Sequence, residues 1–241
     1  MAKSCTSWID YWRHDSVLRN FTIWKVNAKI FFYQAHRIVH FSKNDSVLNI
    51  GCGPGYLEVL LAPIVKNIHA VDVAEQFVNQ CVHQCTNYNN VSVALLNNNY
   101  TNLHILGKSF SLILCISVVQ YYKNISELEA LITSAQKIAL PGARMLIADL
   151  PRKRTTIGFL WDAVCSFFMS IWKGYALLLL QDIWARWICR SHYKSFSNNI
   201  KPLSFTTKGL ESLIQRMKLN AIIIRKSVSI YANRPSLLIH F

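Results

Sequence analysis

The stretch that most limits how this chain can fold is Val47-Leu48-Asn49-Ile50-Gly51-Cys52-Gly53-Pro54-Gly55. An aliphatic run leads into glycines at alternate positions 51, 53 and 55, and Tyr56-Leu57-Glu58-Val59-Leu60-Leu61-Ala62 then reads as a helix. Glycine is needed where a chain turns sharply out of a strand and its backbone must approach a ligand closely. A helix that follows directs unpaired N–H groups back at that ligand. About twenty residues on, Ile68-His69-Ala70-Val71-Asp72 is a second hydrophobic strand, and it ends in a carboxylate able to accept both hydroxyls of a ribose.

A glycine triplet alone is a weak signal; a strand before it, a helix after it and an acid at the next strand end make it a strong one. The spacing is GxGxG rather than the GxGxxG of dinucleotide enzymes, and it resembles motif I of the class I S-adenosylmethionine-dependent methyltransferases. Phe110-Ser111-Leu112-Ile113-Leu114-Cys115-Ile116, a continuous apolar run suited to the centre of a parallel sheet, resembles the family's motif II. Arg144-Met145-Leu146-Ile147-Ala148-Asp149 resembles motif III. Between these lie a helix from about 75 to 86, a short strand over 91–96, and a helix running to Leu140 that Asn124 or Ser126 could cap and Pro141-Gly142 would end. A helix over 207–217 and strands at 221–225 and 236–240 suit the terminal hairpin of that family. The expected fold is α/β: a Rossmann-like doubly wound sheet, mostly parallel with an antiparallel last strand. It carries N-terminal helices and a helical insertion after strand five.

The resemblance implies the cofactor, S-adenosyl-L-methionine, and the residues around it. Asn49, Gly51, Cys52, Gly53 and Gly55 would shape the loop at its methionine end, and Asp72 with Val73 would hold the ribose. Asn99 and Tyr100 would border adenine, and Ser117 and Gln120 would line the methyl end. Three positions where the family favours acids are neutral here, namely Asn49, Asn99 and Ser111. The acid that the family has at 49 helps organise the methionine end of the cofactor. Asparagine at 99 keeps a carbonyl acceptor without the charge. If the acceptor is a hydroxyl, a general base must lie within hydrogen-bond reach, and His14, Tyr121 and His192 are the candidates.

A single domain over 1–241 suits the length, divided as N-terminal helices over 1–45, a cofactor-binding core over 46–150, an insertion over 151–205 and a C-terminal helix and hairpin over 206–241. Apolar residues recur at helical spacing from Ile23 to Val39, and these helices either cover the site as a lid or pack on the sheet edge; Tyr11, His14 and Tyr33 are lid candidates. Seven cysteines without a pairing pattern, behind an N-terminus lacking an apolar signal core, suit a reducing cytoplasm. Cys81, His83 and Cys85 have ligand-forming side chains, yet Cys81 and Cys85 share a helix face with Phe77, so core packing is expected and no metal.

The charge is uneven. Residues 1–150 hold 12 Lys/Arg against 9 Asp/Glu, whereas 151–241 hold 14 against 3. Over 151–205 the chain is very apolar, from Ile157-Gly158-Phe159-Leu160-Trp161 to Trp187-Ile188, but Asp162, Lys173, Asp182 and Arg186 interrupt it. No run reaches the ~20 residues that a spanning helix needs. Two helices there would cap an apolar pocket, lie on a membrane surface or pack a dimer. The expected activity is methyl transfer to a small, hydrophobic or lipid-like acceptor, with an anionic membrane surface or an acidic carrier protein as partner. An exocyclic-amine nucleic acid methyltransferase is disfavoured, because Ser117-Val118-Val119-Gln120 stands where such enzymes have Asn/Asp-Pro-Pro-aromatic. The alternatives that remain are a non-catalytic membrane- or partner-binding module of the same fold, and an RNA methyltransferase.

Overall fold

The computed structural model describes residues 12, 21–96, 100–153, 164, 167, 168, 180, 203–229 and 233–241. Its elements run α1 (Phe21–Val39), β1 (Ser46–Ile50), α2 (Tyr56–Leu61), β2 (Asn67–Asp72), α3 (Glu75–Gln84), β3 (Val91–Leu95), β4 (Phe110–Ile116), α4 (Ile125–Gln136), β5 (Ala139–Ala148), α5 (Thr207–Met217), β6 (Asn220–Ile224) and β7 (Ser236–His240). Short 3-10 turns at Leu103–Leu106 and Val119–Tyr121 complete them. The strands form one sheet in the order β3-β2-β1-β4-β5-β7-β6. β7 is antiparallel to both neighbours, and the other pairings are parallel.

Period-two alternation within the strands divides the core between the two faces of the sheet. Leu48, Ile50, Ile113, Cys115, Met145 and Ile147 face α4 and α5, meeting Leu128, Leu131, Leu210 and Leu213. Val47, Leu112, Leu114, Leu146 and Ala148 face the other way, meeting Phe31, Ala35 and Val39 of α1, Leu57 and Leu61 of α2 and Cys81 of α3. Helices on both faces of a sheet whose order reverses between β1 and β4 put a crevice at the carboxyl ends of those two strands. That switch point is where the glycine loop lies.

Two expectations need correction. The helix expected to reach Leu140 stops at Gln136, and Pro141 and Gly142 belong to β5 rather than ending a helix. The β4–β5 register jumps from Phe110↔Ala139 to Leu112↔Arg144, so the intervening residues bulge out. A proline without an N–H is tolerated in such a bulge because no ladder bond is lost. Capping is also settled: Asn124 accepts from the Glu127 N–H, which makes it and not Ser126 the cap of α4. Ser111 lies at the amino edge of the sheet, far along β4 from the loop. It donates to Asp45, which also pairs with Arg144 at 2.6 Å, so the acid missing from β4 is supplied by a neighbouring segment for a structural purpose.

Candidate functional site

All three glycines of the loop have positive φ, of 72°, 57° and 88°, a region that L side chains enter at a cost. Their surroundings nevertheless differ. A Cβ on Gly51 would meet Val118 Cγ2 at 2.3 Å, and one on Gly55 would meet Cys81 Cα at 2.8 Å. These two glycines let the segment after β4 and helix α3 pack against the loop. Among the described residues nothing lies within 4 Å of that position at Gly53, so there it faces open space at the switch point. Of the three, only Gly53 has the room that a ligand's approach requires.

Asp72 closes the other side of this space. Its two carboxylate oxygens accept the N–H groups of Gly53 and Ala74, each at 2.9 Å. Burial raises its pKa to about 6, against the pull of the backbone N–H groups of Ala74, Gly53 and Val73. A carboxylate has about four acceptor directions, so beyond these three N–H groups one remains for a hydroxyl donor. Asp72 therefore ties the loop to β2 and retains the capacity to accept from a ribose hydroxyl.

The remaining residues expected at the site fall into three groups. Asn49 is buried behind the loop, with Nδ2 donating to Glu58 Oε1 at 2.5 Å. Cys52 and Val73 are buried in the core; against the lowering effect of a hydrogen bond with Cys81, burial and the nearby Glu58 and Asp72 push the Cys52 thiol up to about 12. Tyr100 is an interior residue: it is 1% exposed, and its hydroxyl lies 4.0 Å from the Cβ position of Gly51. Asn99, His14, His192 and Tyr11 lie outside the described residues. Tyr33 is 66% exposed and does not join the site.

Ser117 and Gln120 belong to a polar network at the carboxyl ends of β4 and β5. Ser117 Oγ donates to Asp149 Oδ2 at 2.6 Å, and Gln120 Nε2 donates to the Ser117 carbonyl at 3.0 Å. Arg234 Nη1, from the segment before β7, reaches Asp149 Oδ2 at 3.0 Å and Gln120 Oε1 at 3.2 Å. Ser229 Oγ donates to Asp149 Oδ1 at 2.7 Å. Ser117 and Asp149 both have positive φ, at 57° and 64°. Non-glycine residues held there collect where surrounding structure over-determines them, as at binding sites.

Beside this network is an aromatic cluster drawn from four segments. Trp12 meets Trp24 of α1, Phe77 of α3 and Tyr121 at centroid distances of 6.0, 5.9 and 5.5 Å, and Trp24 meets Phe77 at 5.6 Å. Gln76 donates to the Trp12 carbonyl. Because Phe77 follows Asp72 closely and Tyr121 follows Ser117, this wall stands over the carboxyl edge of the sheet. Tyr121 is thus part of an aromatic wall.

Glu58, Asp149, Arg234 and the pairing of Trp12 with Phe77 escaped the sequence reading. Two of them had a signal. Glu58 is a carboxylate at an apolar position of a helix, and Asp149 ends its strand as Asp72 does. Arg234 had none.

Residues 47–142 match a family model described as "Methyltransferase domain". No curated protein matches the sequence. Among solved structures the chain is similar to the N-methyltransferase NodS from Bradyrhizobium japonicum WM9 in complex with S-adenosyl-L-homocysteine, with a TM-score of 0.50 and 18% identity over 88% of this chain and 86% of that one. It is similar to magnesium protoporphyrin IX methyltransferase (ChlM) from Synechocystis PCC 6803 with bound SAH, with a TM-score of 0.57 and 12% identity over 95% and 91% of the two chains. The DhpI–SAH complex gives a TM-score of 0.59 and 11% identity over 96% and 93%. At these identities the likeness establishes the fold.

Proposed function

We propose that the chain is a class I methyltransferase that binds S-adenosyl-L-methionine along residues 51–55 and methylates a small apolar acceptor, a reading supported by the match of residues 47–142 to a methyltransferase-domain model. The observation that carries the cofactor reading is the open space at Gly53 beside Asp72, whose carboxylate keeps an acceptor direction beyond its three backbone N–H partners. When bound, the cofactor supplies a methyl group already activated as a sulfonium. The chain's own task is therefore positioning and exclusion of water. Asp72 holds the ribose and the loop together, and Gly53 leaves room for the ligand. Val73 and Tyr100 support the adenosine end, where the sequence also suggests a role for Asn99. Ser117 and Gln120, held by Asp149 and Arg234, border the methyl end. The wall of Trp12, Trp24, Phe77 and Tyr121 favours a hydrophobic or lipid-like acceptor over a polar one.

The direct test is calorimetric titration with S-adenosyl-L-methionine and S-adenosyl-L-homocysteine, with NAD as the control. Binding of the first two and not of NAD is expected. No binding of any of them would favour a non-catalytic module of the same fold. For the acceptor, Trp12→Ala is expected to weaken apolar acceptors while leaving cofactor affinity within about twofold, since it removes contact area rather than a hydrogen bond.

A second reading concerns the surface. Val164, Phe167 and Phe168, at helical spacing, are 45%, 37% and 65% exposed, in a region where 151–241 carries 14 Lys/Arg against 3 Asp/Glu. Among the described residues no helix is long and apolar enough to cross a membrane. Apolar side chains amid cations suit a face that lies on an anionic membrane, from which a lipid-like acceptor would be drawn. Sedimentation with anionic vesicles and not with neutral ones is the expected result, and Phe168→Asp should abolish it.

A further inference from the structure

Behind the glycine loop lies a carboxyl group that the proposed activity does not use. Glu58, in the first turn of α2, is fully buried. Its Oε1 accepts from Asn49 Nδ2. Its other oxygen, Oε2, and the side-chain oxygen of Asn49, Oδ1, are both buried, and both lack a hydrogen-bond partner among the described residues. Two touching planar groups each leave one acceptor orphaned, which is costly in a dry interior.

One proton removes both defects. A hydrogen on Oε2 can donate to Asn49 Oδ1 while Asn49 Nδ2 donates to Oε1, so that a carboxylic acid and a carboxamide give each orphaned oxygen a partner. The surroundings favour this neutral form. The titratable groups facing Glu58 are Asp72 at the end of β2, Cys52 in the loop, and Cys81 and Cys85 on α3, and none of these is a cation. Burial raises the Glu58 pKa to about 7; its hydrogen bonds from Asn49 and its own N–H oppose the rise, and the charge of Asp72 adds to it.

We propose that Glu58 is a positioning residue of the glycine loop, acting as a neutral acid in a two-hydrogen-bond pair with Asn49 that clamps the end of β1 to the helix after the loop. The pair brackets residues 50–57, so it fixes where Gly51 and Gly53 stand. This also accounts for an amide at 49, where the family favours an acid. A carboxylate at both positions would put two like charges in contact, whereas an acid and an amide pair without charge. The pairing stands by itself; its consequence for binding rests on the reading of residues 51–55 as the cofactor loop.

The test combines infrared spectroscopy of the ligand-free protein with calorimetry. At pH 6 the wild type should absorb more strongly in the carbonyl band of a neutral carboxylic acid than Glu58→Gln, in which Asp72 remains as a buried acid that titrates near this pH. Equal absorption by the two at that pH would overturn the pair. Glutamine can make both hydrogen bonds, so Glu58→Gln should bind S-adenosyl-L-homocysteine at pH 6 within about twofold of wild type. Glu58→Leu makes neither bond and should bind roughly tenfold more weakly, the scale of one lost hydrogen bond. Glutamine binding as poorly as leucine would mean that the charge is what matters, and leucine binding like wild type would mean that the pair does not position the loop. Either result would sink the proposal. If Glu58→Leu fails to fold, the infrared band and the glutamine variant still decide. A wild type that shows the band and binds no S-adenosyl-L-homocysteine would leave the pair intact and remove the cofactor reading instead.

Discussion

The three loop glycines look alike in sequence and are predicted to behave differently. Gly55→Ala puts a methyl group 2.8 Å from backbone Cα of Cys81, so thermal denaturation should show a large loss of stability. Gly53→Ala meets nothing and pays only for φ of 57°, about 1–2 kcal/mol, so it should fold. Its affinity for S-adenosyl-L-methionine should nonetheless fall sharply in calorimetry, because the methyl group occupies the ligand's space. Asp72→Ala is expected to lower cofactor affinity by about 1.5–3 kcal/mol per charged hydrogen bond lost. It also releases the Gly53 and Ala74 N–H groups, so part of that loss will be loop disorder. Asp72→Asn, which keeps one acceptor oxygen, should fall between the two.

At the scale of elements, the carboxyl ends of β4 and β5 are joined to the chain before β7 through one buried carboxylate. Asp149 is fully buried in its side chain and accepts from Ser117, Ser229 and Arg234. Removing one member of such a pair leaves an uncompensated group. Arg234→Leu leaves a buried anion and is expected to destabilise by about 3 kcal/mol or more, measured by chemical denaturation. Asp149→Asn keeps the hydroxyl partners and should cost less. The same elements show where sequence reading erred. Pro141-Gly142 carries a strong terminator signal, but tertiary pairing with β4 and the bulge at Ala139 to Arg144 recruited it into a strand.

For the whole molecule, two buried acids bring a pH dependence of their own. Asp72 and Glu58 titrate at about 6 and about 7 in the fold, above ordinary carboxylate values, chiefly because burial disfavours their charge. A raised folded-state pKa stabilises fully below the unfolded value and ceases to do so as pH climbs through the folded one. Their contribution should therefore decline as pH rises from about 4 to about 7, whereas that of His69, which burial and the charge of Lys108 hold down to about 4, grows over much of the same range. The decline should be smaller in Glu58→Gln, by up to about 3 kcal/mol, and thermal melts across that range measure it. The order of the elements, the sheet's strands and the loop were legible in the sequence, because strand and helix periodicities and the glycine spacing are local properties of the chain. So was Asp72, since its place at a strand end follows from the same local pattern. What only the tertiary structure decided were contacts across distance: Val118 against Gly51, Asp45 beside Ser111, Arg234 on Asp149, and Trp12 between Phe77 and Tyr121. The sequence displays Asn49 and Glu58 as a lost acid and an odd charge in an apolar helix. Burial and closure of the loop turn them into one hydrogen-bonded pair, because a desolvated polar group is stable only with the partner that folding brings to it.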